Sequence, residues 1–188
     1  MPPTKSRKFI RQTVWATTIW SCSILSFPAV AQTTNPLSAF AAFCFDPHLT
    51  ATTAQERIVA DGTRLDFYDA MPFSAPNPTF VTVGTQGRPR TPGTDRRCEV
   101  SFDGIRGADA VETVLAALAD EGIDRDAPLP VTHADAALPG TLLLAARYLN
   151  PNRIAVVHAG TRMGPDDVVE TFASVERLTP QASAEAAE

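Results

Sequence analysis

The sequence predicts an α+β domain: an antiparallel or mixed sheet with about three helices packed on one face. Three observations carry this. Apolar residues recur at helical spacing in three segments, near 36–44, 49–58 and 109–121. Between them lie strand-length runs of alternating apolar and polar residues, at 63–69, 80–83 and 96–102. Finally, Thr141 to Leu149 and Ile154 to Gly160 flank the turn sequence Asn150-Pro151-Asn152-Arg153 and read as a hairpin. Composition agrees, since 188 residues at 44% hydrophobic and 20% charged suit one globular domain.

Residues 1–31 read as a secretory signal. Lys5, Arg7, Lys8 and Arg11 form a basic region, Val14 to Phe27 an apolar stretch, and Ala29-Val30-Ala31 an A-x-A cleavage site. The expectation is export by the Sec route, cleavage after Ala31 and a periplasmic or secreted protein with no membrane span once the signal is removed. Of sixteen basic residues four leave with the signal, so twelve remain against twenty-one acidic ones, a net charge of −9. An acidic protein of this kind is not expected to bind nucleic acid. Both lysines leave with the signal, which removes Schiff-base, Ser–Lys and phosphate-loop lysine chemistry from consideration.

In the mature chain, residues 32–178 form the single expected domain. Asn35 suits a helix N-cap with Pro36 at the first helical position, and Leu37, Phe40, Ala41 and Cys44 make one apolar stripe. Thr53 with Glu56 suggests a capping box for a second helix that stops at Asp61-Gly62. Strands follow at Thr63 to Asp69 and Phe80 to Val83, separated by a loop containing Pro72, Pro76 and Pro78. The strand Arg96 to Phe102 turns Cys98, Val100 and Phe102 to one side and Arg97, Glu99 and Ser101 to the other. Asp109 with Glu112 is read as the cap of the next helix, whose buried face is Val111, Val114, Leu115 and Leu118 and whose end is Gly122, with Ile123 packing back. Val131 is expected to open a short strand. The Leu, Val and Ala content on both faces of the hairpin predicts central strands, and Thr, Val and Phe content makes Val168 to Leu178 a strand. Residues 179–188, rich in Ala, Glu and Ser, are expected to be a disordered tail. Two helix-plus-strand segments, each following a Phe-Asp pair, suggest a twofold repeat.

Cys22 leaves with the signal, so Cys44 and Cys98 are expected to form a disulfide that staples the N-terminal helix to the sheet. Across about 54 residues such a bond is worth roughly 4 kcal/mol in the chain-entropy model.

Catalytic and metal signals are missing. His48, His133 and His158 are far apart in sequence, and Asp66 with Asp69 falls on opposite sides of a strand. No serine lies in a nucleophile motif, and neither a metal-ligand spacing nor a cofactor-binding glycine motif is present. No catalytic residue, metal or cofactor is therefore expected. The one unusual polar stretch is Gly84 to Arg97, a glycine- and proline-rich loop carrying Arg88, Arg90, Arg96 and Arg97. Guanidinium groups there suit a small anionic ligand or an acidic protein partner. The favoured expectation is a non-enzymatic interaction or envelope-associated module. The alternatives are a small hydrolase built from scattered His and Asp, and an anion binder using the arginine loop.

Overall fold

The computed structural model describes residues 35–60, 62–70, 80–84 and 88–188. Residues 1–31, expected as a signal, the expected proline loop within 71–79 and residues 85–87 of the expected arginine loop lie outside them.

The fold is α+β. Seven strands, β1 (Thr63–Ala70), β2 (Phe80–Gly84), β3 (Thr94–Asp103), β4 (Asp126–Ala127), β5 (Thr141–Asn150), β6 (Arg153–Met163) and β7 (Val169–Leu178), form one sheet in the order β2-β1-β3-β7-β6-β5-β4. Every neighbouring pair is antiparallel. The two halves meet where β3 pairs with β7, Cys98 opposite Val175 and Arg97 opposite Glu176. They do not repeat each other in strand order: β1, the first long strand of its half, is flanked by β2 and β3, whereas in the other half it is the middle strand β6 that is flanked by β5 and β7.

Helices α1 (Pro36–Phe43), α2 (Ala51–Ile58) and α3 (Gly107–Asp120) cover one face of the sheet. Beneath them lie Leu65, Phe67, Cys98, Val100, Ala155, Val157, Ala173 and Val175, the apolar side of four strands. Cys44 and Cys98 are disulfide-bonded, with Cα atoms 5.4 Å apart. α1 begins as its sequence implies, with the Asn35 side chain accepting from Leu37 N and Pro36 in the first turn. α3 ends on Gly122 at φ 67°, and Ile123 N returns to Leu118 O at 2.8 Å.

Several local expectations are corrected. The cap of α2 is Thr50, not Thr53: Thr53 donates its N–H to Thr50 Oγ1. That helix ends at Ile58, and Gly62 (φ 77°) instead turns the chain into β1. α3 starts before Asp109, at Gly107, because its first turn lies tight on the sheet; a Cβ added at Gly107 would come within 2.8 Å of Leu142 Cδ1. Its buried face is Ala110, Val114, Ala117 and Leu118, and Leu115 is 43% exposed. Val131 opens a short helix, α4 (Val131–Asp135), rather than a strand, with Pro130 in extended conformation at its N-cap.

The C-terminal residues, expected as a tail, form α5 (Pro180–Ala187). Thr179 caps it by accepting from Ala182 N, and Pro180 takes the first turn. Its small residues allow close docking: Ser183 Oγ accepts from Ile154 N and donates to Thr179 O, while Ala182 and Ala186 pack on a second apolar cluster around Ile154, Val156 and Leu178. α4 and α5 thus lie on the side of the sheet opposite α1 to α3.

Candidate functional site

On that second face, the central part of the sheet is charged rather than apolar. Strand alternation puts Arg64, Asp66 and Tyr68 of β1, Arg97 and Glu99 of β3, Glu170, Ser174 and Glu176 of β7, and His158 and Arg162 of β6 on the same side. Arg97 is 0% exposed and Glu99 1%. Burying single ions is prohibitive, so the fold pairs them. Four arginines meet four carboxylates: Arg64 with Glu170, Arg88 with Glu176 and Glu99, Arg97 with Asp66 and Glu176, and Arg162 with Glu99 and Glu170.

Arg97 is the fixed point of this layer. Its Nε donates to Glu176 Oε1 (3.0 Å), Nη1 to Asp66 Oδ2 (3.1 Å) and Arg88 O (3.2 Å), and Nη2 to Pro89 O (2.8 Å) and Thr91 Oγ1 (3.2 Å). All five guanidinium donors are used, and three of those bonds hold residues 88–91 down on the sheet. Arg88 then inserts its own guanidinium, donating to Glu176 and to His158 Nδ1 (3.1 Å).

That contact fixes the state of His158. Because Arg88 can only donate, Nδ1 is the acceptor and the proton sits on Nε2, which donates to Thr141 Oγ1 (2.6 Å); the Thr141 hydroxyl passes the chain on to Leu138 O (2.6 Å). Burial, with Arg88 beside it, pushes the His158 pKa down to about 4. His133 on α4 reaches the same cluster, with Nε2 3.3 Å from Glu176 Oε2, and burial next to Arg88 and Arg97 likewise pushes it down to about 4. This is a contact of a neutral imidazole, and its alignment is too poor for a hydrogen bond: both atoms are buried without a partner. Burial alone would raise Glu99, but Arg88, Arg162 and Arg97 outweigh it and hold its carboxyl below the usual range. At Asp66 burial wins over Arg97 and the carboxyl is raised.

Two spaces adjoin the layer. Between Arg88, His133, His158 and Glu176 is a cavity of about 10 Å³, the size of one water molecule. A water there can bridge Glu176 and His133, but there is no room for a substrate. Beyond Arg88 and Arg162 is a larger, open cleft of about 390 Å³, walled by Leu138, Pro139, Met163 and Glu170. Arg162 gives Nε to Glu170 Oε1 (2.5 Å), and its Nη1 is buried 2.6 Å from Glu99 Oε1. Its Nη2 has no hydrogen-bond partner among the described residues.

The four loop arginines named from the sequence do not converge. Arg88 and Arg97 enter the buried layer. Arg96 points to the opposite face, where it donates to Asp46 O, Pro47 O, Leu49 O and Asp69 and so fastens the α1–α2 connection to β3. Arg90 stays exposed, stacked 3.9 Å above the Phe80 ring. Two of the three histidines do converge, His133 and His158, whereas His48 is exposed and bonds within its own turn.

Sequence reasoning missed Glu99, Glu176, Arg162 and Glu170 as partners. A usable signal was present: charged residues at same-face positions of strands otherwise read as central must be buried, and so must find each other. Among the described residues no group of His, Cys, Asp and Glu is arranged to hold a metal ion, and no helix is long and apolar enough to cross a membrane. Compared with known family models, curated proteins and solved structures, the chain matches none.

Proposed function

We propose that the protein is an exported, non-enzymatic binding module that receives a small anion in the cleft over Arg162 and Arg88. The observation that carries this is the position of Arg162, a cation at the wall of an open cleft whose Nη2 has no hydrogen-bond partner among the described residues. A fixed, partly desolvated guanidinium recognises carboxylates well, because its partners Glu99 and Glu170 already hold it in place. The signal sequence and the Cys44–Cys98 bond support a location outside the cytoplasm.

The same geometry argues against hydrolysis as the role of the histidines. Both nitrogens of His158 are spoken for, and His133 with Glu176 faces a space for one water. Neither imidazole lines the open cleft.

The test is a titration of the oxidised mature protein, residues 32–188, with acetate, benzoate and inorganic phosphate, followed by amide NMR shifts. Saturable shifts at Arg162, Met163 and Gly164 that vanish in Arg162→Gln are expected. Unperturbed spectra at tens of millimolar of every anion overturn the reading.

A further inference from the structure

Resting on that reading, we infer that the ligand of the cleft is an amphiphilic monocarboxylate, an anion with an extended apolar body such as a medium-chain fatty acid. Two observations select this class. The first is charge. Arg88 and Arg162 face the cleft together with Glu170, but Arg88 is engaged by Glu176 and Arg162 by Glu99 and Glu170, so the wall is close to neutral and, among the described residues, offers a ligand only the unpaired Nη2 edge of Arg162. A single carboxylate can take that edge, whereas a dianion meets the buried Glu170 carboxylate as a like charge twice over.

The second is the apolar surface around it. Leu138, Pro139, Met163 and Pro165 make up most of the remaining wall. Met163 is 60% exposed, and the surface continues past it around the end of the sheet. Met163 pairs with Val169, next to exposed Val168, and Gly104 N bonds Val169 O, which brings the adjacent Ile105 (80% exposed) to the same end. Leu142, also exposed, lies against Gly107 at the start of α3. Met163, left in water at the mouth of the charged cleft, together with the Leu138, Pro139 and Pro165 wall, marks a binding surface, and Val168, Ile105 and Leu142 are exposed farther around that end of the sheet. A short anion such as acetate leaves this surface uncovered, whereas a carboxylate with an alkyl chain pairs with Arg162 and covers Met163.

The experiment is isothermal titration of the oxidised mature protein with decanoate below its micelle concentration, beside acetate, decanol and decyltrimethylammonium. Decanoate is expected to bind about tenfold or more tighter than acetate and than decanol, the increment one charge-assisted hydrogen bond or a few buried methylenes supplies. Met163→Ser, an uncharged change on an exposed side chain, is expected to weaken decanoate about tenfold and so narrow its advantage over acetate. Arg162→Gln is expected to weaken both, provided its urea midpoint shows a folded protein. Equal affinity for decanoate and acetate sinks the amphiphile inference and leaves the anion reading standing. Equal affinity for decanoate and decanol, or tighter binding of the ammonium, sinks both, as does no binding at all.

Discussion

On one side of strand β3, Cys98, Val100 and Phe102 pack under α1 to α3; on the other side of the same strand, one residue away in each case, Arg97 and Glu99 are just as deeply buried. The helix face excludes water with apolar area, which contributes in proportion to what is covered and degrades gradually as atoms are removed. The opposite face excludes water over ions, which is sustained only while each ion keeps its partners. Equal burial therefore conceals unequal tolerance. The apolar face accepts volume-conserving substitutions, and the ionic face behaves as a unit.

The strongest way to break this contrast is Arg97→Met. Removing a fully buried cation leaves Asp66 uncompensated and frees residues 88–91, for an expected loss of about 3–5 kcal/mol by urea denaturation. Adding Asp66→Leu is expected to recover part of that loss, since the orphaned carboxylate goes with it. A single-variant loss under about 1 kcal/mol, the range of exposed pairs, means the layer is wet in solution.

Next in size is the Cys44–Cys98 bond. Cys44→Ser/Cys98→Ser is expected to cost about 2–4 kcal/mol. The loss of hydrogen-exchange protection should concentrate in α1 and α2, while β6 and β7, held by the ionic layer, keep theirs. Uniform loss across the sheet contradicts the idea that the two faces are separately secured.

Acid sharpens the comparison further. His133 and His158 have folded pKa values near 4, below the 6.5 of a free histidine. As pH falls, the unfolded chain takes up these protons first, so stability declines from about pH 6.5 and the decline levels off below about pH 4. Each histidine is expected to remove about 2 kcal/mol between pH 6.5 and 5. His133→Gln/His158→Gln should flatten that slope, and an unchanged slope in the variant places the acid lability elsewhere.

The smallest effect is expected at Arg90, exposed over Phe80. Arg90→Ala should shift stability by about 0.5–1 kcal/mol, the value of an exposed cation–π contact. A loss comparable to that of Arg97→Met means Arg90 also anchors the loop.

Much of the apolar face was legible in the sequence. The Leu65/Phe67 and Cys98/Val100/Phe102 alternations, the Asn35-Pro36 start and the Gly122 stop are local patterns with local causes, and they appear as read. The α3 boundary slipped because its start is set by contact with Leu142 across the sheet. α5 was unreadable for a similar reason: Ala182, Ser183 and Ala186 have little apolar content, and their value lies in how closely they let a helix approach Ile154 and Leu178. At the candidate site, strand alternation already separated Arg97 from the Cys98 face, with Arg96 on the other side, but it did not show that Arg88 folds back from the loop onto the face of Arg97.

By itself, then, the sequence determined the α+β class, the order of the long strands along the chain and the cysteine pair, because each follows from periodicity or from residue count. Only the tertiary structure decided that β3 pairs with β7. That pairing brings Arg97 and Glu99 beside Glu176 and Ser174, and β6 on the far side adds His158 and Arg162. Charges more than seventy residues apart in the chain can be buried only once such a pairing supplies their counter-ions, and no local pattern records which partner that is.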